Sequence, residues 1–498
     1  MSKKKPPFNY QKYLKLQKEA ILERMKRFNG KLYLEFGGKL FDDEHAARVL
    51  PGFETDAKAH VLATLKDQLE IIICINAKDI ITGKIRGDTG LTYQDEVVRM
   101  IDELKDYDLL VSSVVITKYQ VEPRVRAFRR YLSNLNIKTY AHYEIDNYPL
   151  NVELILSKEG FGKNDLVETS KPLVVVAGPG PGSGKLAVCL SMLYADAQNY
   201  IKSGYAKYET FPTWNLSLTH PLNLAYEAAT LDLNDVLMVD HFHLIHFNVN
   251  AVSYNRDLEA FPLLKRTFER LYGVSPYQSP TEMGVNKVGF AISDEKAIQK
   301  ACEQEIIRRY FRTLWENKCG IIPQEGLNKI QRMMERLNLT PEMRPPVTPA
   351  LEKSSKCKTS AAALSLDDGV IVTGKKSELF TQGAAAVINA LKHYAGVQKK
   401  MPLLSENLIT TIQKLKIKQL GNKDGALNVS EVLITLAITA SSGPLSSEAL
   451  KCIPLLRGGQ LHSSHVIDQN DISTLNELGI DVTFEPQQTS YYTNSKRR

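Results

Sequence analysis

The sequence predicts an α/β protein of more than one domain, built on a mostly parallel, doubly wound sheet. Three observations carry this. The chain has 498 residues, which at ~150 residues per domain gives a starting expectation of about three domains. Short apolar runs rich in β-branched residues alternate with amphipathic stretches of helical period, as in strand–helix–strand units. One such run leads directly into a glycine-rich stretch, AGPGPGSGK from Ala177 to Lys185, with a further helical stretch behind it.

The elements follow in chain order. Tyr13, Leu14, Leu16, Ile21, Leu22, Met25 and Phe28 recur at helical spacing, and Gly30 supplies a stop, so residues 1–30 are expected as a helix. Nine Lys or Arg against two Glu in that segment account for the whole net charge of +7, leaving the rest of the chain formally neutral. A nucleic-acid surface needs basic side chains clustered where phosphates run. No specific nucleic-acid partner is therefore expected, and the basic helix reads as solvated or lying on a partner subunit.

Strands are expected at KLYLEF from Lys31, EIIICI from Glu70, SVVIT from Ser113, IKTYAHY from Ile137, LVVVAG from Leu173, DVLMVD from Asp235 and VGFAI from Val288. Helical stretches at 94–106 and 122–134 lie between them, and near-continuous β-branched runs suit strands buried on both faces. Residues 31–295 thus read as one α/β domain and 296–338 as a helical segment, with helices from Lys296 to Trp315 and from Gln324 to Leu337. The stretch 339–360, with four prolines among Lys and Ser, has the composition of an exposed connector. Residues 361–498 read as a smaller α/β domain, from GVIVTG, a helix at 382–394, an apolar helix at 430–440, LHSSHVI and IDVTFEP.

Six dispersed cysteines without a CxxC pair point to reduced thiols and a cytoplasmic location. The first residues lack an apolar h-region and no uncharged apolar run approaches ~18 residues, so neither a signal peptide nor a membrane partner is expected.

Most of the chemistry lies in the glycine-rich stretch. Phosphate cradles use glycines so that successive backbone N–H groups converge on one anion, and the dipole of the following helix adds to the attraction. Gly180, Gly182, Ser183 and Gly184 would form the cradle from Gly178 onward, and Lys185 would set a point charge against phosphate oxygens. The pattern departs from G-x-x-x-x-G-K-[ST] at Pro179, in the first glycine position, and at Leu186, where a hydroxyl normally ligates magnesium. Ser183, Ser191 or a carboxylate would have to replace it, or a phosphate is held without magnesium. A tight turn with no ligand is the plain alternative.

DVLMVD ends at Asp240, as an apolar strand carrying a magnesium-proximal aspartate does. His241, His243 and His246 follow, so a metal site of Asp240, His243 and His246 stands against hydrogen-bonded structural histidines. The expected catalytic set is Lys185, Asp240 and His243. EFGGK (Glu35 to Lys39), RGDTG (Arg86 to Gly90) and NRD (Asn255 to Asp257) sit where loops would leave strands, and each also has a reading as turn chemistry. His220, Glu227, His462 and His465 are weaker candidates. No zinc-deaminase HxE with PCxxC, no GxSxG and no HExxH occurs in the sequence.

Taken together, YLEFGGKL, AARVLPGFE, RGDTGLTY, AGPGPGSGKLAVC, SGYAKYETFPTWNL, HPLNLAYEAAT, NRDLEAFPLLKR, SPTEMGVN, EIIRRYF and LGIDVTFEP resemble the domain-of-unknown-function 1846 family, also called uncharacterised protein family 0371, over nearly the whole chain. The resemblance implies a multi-domain α/β fold whose carboxy-terminal part has a cytidine-deaminase-like topology without the zinc motif. It implies no known reaction. Family members share the Asp240 and His243 positions, often have proline in place of His241, and share the incomplete loop with Leu186. Some are labelled ATP-dependent peptidases, for which this chain offers no nucleophile.

The expected function is an enzyme binding a nucleotide, such as ATP with Mg2+, or another phosphorylated small molecule. The alternative is a non-catalytic phosphometabolite sensor or assembly protein whose ligand stabilises a homo-oligomer. ATP-dependent proteolysis ranks third.

Overall fold

The computed structural model describes residues 5–28, 30–86, 89–231 and 235–487. The chain divides into two compact units, residues 1–302 and 303–498.

Among the described residues the first unit is organised by nine strands: β1 (Lys31–Phe36), β2 (Leu69–Asn76), β3 (Val111–Thr117), β4 (Lys138–Ala141), β5 (Leu173–Ala177), β6 (Ser203–Tyr208), β7 (Leu237–Val239), β8 (Val252–Tyr254) and β9 (Gly284–Val285). Seven of them form one sheet in the order β4-β3-β2-β5-β1-β6-β9, and every pairing in it is parallel. Covered on both faces, β5 is buried along its whole length and β2 from Leu69 to Ile75. This is why Ile71–Ile75 and Leu173–Ala177 stand out in the sequence as unbroken apolar runs. From β2 the chain continues to β3 on one side, whereas from β5 it continues across β1 to β6 on the other. The carboxyl ends of these adjacent strands therefore flank a switch point, the place where open α/β sheets accept ligands.

Three expectations change here. SGYAKY, not picked out as a strand, forms β6. VGFAI is a 3-10 turn at Val288–Phe290, because Asn286 organises it: Oδ1 accepts from the Val288 amide, and Nδ2 donates to the Thr210 and Pro212 carbonyls. Such side-chain bonds compete with a strand ladder. DVLMVD supplies β7, which among the described residues pairs only with β8 in a separate antiparallel ribbon.

The basic helix forms at Tyr10–Phe28 and buries Tyr13, Gln17, Ala20, Ile21 and Phe28. Its apolar face belongs to this unit. The Tyr13 and Tyr208 hydroxyls lie 2.8 Å apart, Gln17 Nε2 donates to the Val285 carbonyl, and Gln17 Oε1 accepts from the Lys287 amide.

In the second unit β10 (Ala361–Ser365), β11 (Ile371–Lys375), β12 (Gln460–Ser463) and β13 (Asp481–Phe484) form a mixed sheet in the order β11-β10-β12-β13. β10 is antiparallel to both neighbours, and β12 and β13 are parallel. The expected helices appear at Glu295–Lys318, Gln324–Arg336, Gln382–Tyr394 and Val429–Ala440, the last opened by an Asn428–Glu431 capping box. The proline-rich stretch is not an exposed connector. It forms a 3-10 turn at Pro341–Met343 and a helix at Val347–Cys357 that buries Val347 and Ala350. Prolines are tolerated there because the first turn of a helix has no use for their missing N–H. Arg344, fully covered, donates to Thr483 Oγ1 and the Asp481 carbonyl. Among the described residues no helix is long and apolar enough to cross a membrane.

Candidate functional site

The glycine-rich loop lies between β5 and the helix Lys185–Gln198, and the ends of three other segments set its shape. The Pro179 carbonyl accepts from Arg86 Nη1 at 2.7 Å, the Gly182 carbonyl from Asn76 Nδ2 at 3.4 Å, and the Ser183 carbonyl from Thr117 Oγ1 at 2.9 Å. Inside the loop, Ser183 Oγ donates to the Gly180 carbonyl at 2.8 Å. Asn76 and Thr117 close β2 and β3, and Arg86 comes from RGDTG, whose Gly87 and Asp88 lie outside the described residues. Two glycines are fixed by geometry. A Cβ at Gly180 would fall 2.7 Å from the Tyr93 ring, while Gly184 has φ +89° and its Cβ would meet the Thr117 side chain at 2.8 Å.

Four of the loop's carbonyls are thus tied back to the protein. Among the described residues, the backbone N–H groups of Gly180, Gly182, Ser183, Gly184 and Lys185 donate no hydrogen bond. Lys185 opens the helix and, among the described residues, forms no ion pair. Burial lowers its pKa; the nearby Glu35 and Cys74 oppose that shift, and the positive charges of Lys207 and Arg256 add to it.

Glu35, Cys74 and Lys207 come from neighbouring strands, and Arg256 from the first turn of the helix Asn255–Tyr272. On β1, Glu35 stands beside Val176 of β5 on one side and Lys207 of β6 on the other, and its Oε2 accepts from the buried Tyr205 hydroxyl at 2.7 Å. Lys207 Nζ lies 2.6 Å from both oxygens of Asp257 and 2.6 Å from Glu209 Oε1. Burial opposes the charge on Lys207, but Asp257, Glu209 and Glu35 outweigh it and raise its pKa. Glu209 is pushed up to about 7: burial and the neighbouring Asp257 raise it against the pull of Lys207. Arg256 faces the buried Asp235 through two 2.7 Å contacts. The carboxyl edge of the sheet therefore combines unpaired loop amides, an unpaired lysine and a carboxyl able to exchange a proton near neutrality.

EFGGK and NRD thus enter this site through Glu35 and Asp257. Asn255 is structural, its Oδ1 accepting from the Val236 amide, and Lys58 binds the Gly37 and Lys39 carbonyls of EFGGK. Asp240 and His243 are joined to one another and not to the loop. Asp240 Oδ1 caps the His243 amide, and Oδ2 accepts from the Thr281 amide and hydroxyl. His243 Nδ1 pairs with Ser279 Oγ at 2.8 Å, and burial lowers its pKa. His241 and His246 lie on the same short helix, which buries none of its residues. His220 caps the helix Pro221–Ala229 that contains Glu227, and its Nε2 contacts Glu295. In the second unit, the covered His462 bonds Thr483 and His465 bonds Ser464.

Sequence reading missed Lys207, Glu209 and Tyr205, which sit in YAKYE at the end of β6, as well as the loop supports Asn76, Thr117 and Tyr93. The spacing Lys207-x-Glu209, with both on one face of a strand end, was the available signal.

A model of the family described as domain of unknown function DUF1846, N-terminal, matches residues 7–338, and its C-terminal counterpart matches residues 342–493. A UPF0371 protein of Streptococcus thermophilus (strain CNRZ 1066) is 51% identical over 483 residues, covering 97% of this chain and 98% of the relative. A UPF0371 protein of Streptococcus pneumoniae serotype 19F (strain G54) is 50% identical over the same shares of both chains.

Proposed function

The chain belongs to the DUF1846 family, and we propose that it is an enzyme that binds a nucleotide or another phosphorylated small molecule at the loop Gly178–Lys185. The observation that carries this reading is the polarity of the loop: its carbonyls are held by Arg86, Asn76, Thr117 and Ser183, while its amides and Lys185 have no partner among the described residues. A phosphate would satisfy both and relieve the repulsion among Lys185, Lys207 and Arg256. Glu209 is the group suited to exchange a proton with substrate at neutral pH.

The residues present do not fit the usual magnesium shell of such loops. Leu186 has no hydroxyl, Ser183 Oγ is spent on the Gly180 carbonyl, and Ser191 Oγ accepts from Asn164 Nδ2. Glu35 remains, bonded to Tyr205. The proposal therefore places phosphate neutralisation on Lys185 and the amides.

A thermal-shift screen of wild type and Lys185→Ala against ATP, sugar phosphates and inorganic phosphate, with and without magnesium, tests this. A ligand at 100 times its dissociation constant stabilises the native state by about 2.7 kcal/mol. The expected result is a wild-type shift that persists without magnesium and disappears in the variant. No shift with any phosphate, or an equal shift in both proteins, would overturn the proposal.

One observation favours the sensing and assembly alternative. Ile434 and Ile438, on the apolar helix Val429–Ala440, are 57% and 51% exposed, an uncovered face of the kind that subunit contacts use. Light scattering showing ligand-dependent association without turnover would select that reading.

A further inference from the structure

The stretch from Val236 to Asn255 carries β7, the short helix His241–Phe247 and β8. Charged residues make up 24% of the whole chain, yet the one formally charged side chain in this stretch is Asp240, and it is fully covered. What the stretch shows to solvent is apolar. Met238, Val239, Leu244, Phe247 and Val249 are 38–47% exposed, and Ile245 is 81% exposed. At ~200 Å2 for a fully open large side chain, these six present roughly 600 Å2, which reaches the upper end of the largest apolar patch on an ordinary monomer and marks an interaction site. The patch continues sideways through a row of rings. Phe247 lies 4.6 Å from His243, His243 6.1 Å from the half-buried Trp214, and Trp214 6.0 Å from Phe290, which is itself exposed.

The helix is held firmly in this attitude. Asp240 caps it and accepts from the Thr281 amide and hydroxyl, His243 Nδ1 pairs with Ser279 Oγ, and the Phe242 ring lies 5.0 Å from that of the covered Phe261. One side of the helix is thereby fastened inward while Leu244, Ile245 and Phe247 are left at the surface, and a surface ordered in advance loses little entropy when it is covered. Its chemistry selects the occupant. A nucleic acid or an anionic lipid surface would need Lys or Arg, and from Val236 to Asn255 there is none. A charged peptide would find no counter-charge. A second copy of the same face meets neither problem: turned about a two-fold axis, it sets apolar side chains against apolar side chains and no like charges opposite one another. The areas agree as well, because a standard interface takes about 800 Å2 from each partner. The six side chains with Phe290 and a polar rim of Asn248, Asn250 and Lys287, the last 5.3 Å from the centre of the Phe290 ring, supply an area of that size.

We propose that β7 and the helix His241–Phe247 form a two-fold interface on which a second copy of this chain docks, with Ile245 at the heart of the contact. The inference goes beyond phosphate binding at the loop and requires no ligand.

Sedimentation equilibrium of the full chain over a micromolar concentration range, with no phosphate added, tests it on wild type, Ile245→Asp, Val249→Asp and Ile434→Asp, with circular dichroism to establish that each variant is folded. Wild type should sediment at twice the mass of Ile245→Asp and of Val249→Asp. Each of these puts an unpaired carboxylate into the interface from both copies, which should raise the dissociation constant by about 100-fold or more. Both side chains lie at the surface of the single chain, so neither change disturbs the core. Ile434→Asp, on the helix Val429–Ala440, should keep the wild-type mass. Wild type at the mass of one chain throughout the range would overturn the proposal, and binding of that monomer to phosphatidylcholine vesicles would assign the face to a lipid surface instead. The wild-type mass in both Ile245→Asp and Val249→Asp, or its loss in Ile434→Asp alone, would overturn the proposal too.

Discussion

The Arg86 guanidinium donates to the Pro179 carbonyl at 2.7 Å while pairing with the covered carboxylate of Glu96 at 2.9 Å. One side chain thereby fastens the glycine-rich loop to the helix Tyr93–Asp106, whose Glu96 is also gripped by Arg99.

Arg86→Ala should destabilise the protein by about 1–3 kcal/mol, the range for a buried polar group left short of a partner. Arg99 keeps Glu96 from being wholly uncompensated. Urea unfolding measures that loss, and phosphate binding should weaken with it because the loop loses a tether. Unchanged stability would show that the contact does not hold the loop.

Gly184→Ala and Gly182→Ala separate two effects. Both positions have positive φ, +89° and +77°, but only at Gly184 does a Cβ strike neighbouring atoms; Gly182 faces open space. Gly182→Ala should cost about 1–2 kcal/mol for the left-handed backbone alone, and Gly184→Ala distinctly more in the same unfolding experiment. Equal losses would mean that Thr117 yields freely.

Lys207→Met leaves Glu209 and Asp257 facing each other without their shared cation. Breaking a buried ion pair costs about 3–5 kcal/mol, so a loss of that order is expected at pH 7. The loss should be smaller at pH 5 than at pH 9, because without the cation the Glu209 carboxyl is raised further and keeps its proton at the lower pH. An equal loss at both pH values would argue for packing rather than charge.

The raised pKa of Glu209, about 7 against an ordinary 4.5, has a defined sign. Between those values the folded protein holds a proton that the unfolded chain has released, so this group's contribution makes stability fall as pH rises through that window. Glu209→Gln should flatten that part of the stability–pH curve between pH 4.5 and 7. A curve of unchanged slope would place the Glu209 pKa near its ordinary value.

Asp240→Asn puts an amide where three donors converge. Stability should drop by about 1–3 kcal/mol, while phosphate binding at the loop stays as in wild type. Retained stability with lost binding would return Asp240 to the ligand site.

What could be read from the sequence was local. β5 announces itself because every side chain on it is apolar, β2 because an apolar run spans Ile71–Ile75, and the loop because glycine, serine and lysine lie within a few residues of one another. β6 did not: in SGYAKY the glycine, lysine and tyrosines look like a surface turn. In the fold Asp257 and Glu209 close around Lys207, and Glu35 accepts from Tyr205. The loop's supports were equally hidden, since Asn76, Arg86 and Thr117 precede it by 106, 93 and 66 residues, and only the strand order brings them to it. Asp240 shows the converse. It ends an apolar run as a metal-proximal aspartate would, yet all its hydrogen bonds are capping and bracing ones, a distinction that depends on Thr281 and is invisible in DVLMVD.

The position of β5 between β1 and β2 also bears on synthesis. Leu173 pairs with Leu32 on one side and with Leu69 on the other, so the central gap of the sheet stays open until the segment Leu173–Ala177 has left the ribosome. Until then β1 and β2 each present a bare apolar edge, the kind of surface on which nascent chains associate wrongly. Translation slowed just before this segment should lengthen that exposure and raise the demand for chaperones, whereas a pause after β6 should be harmless.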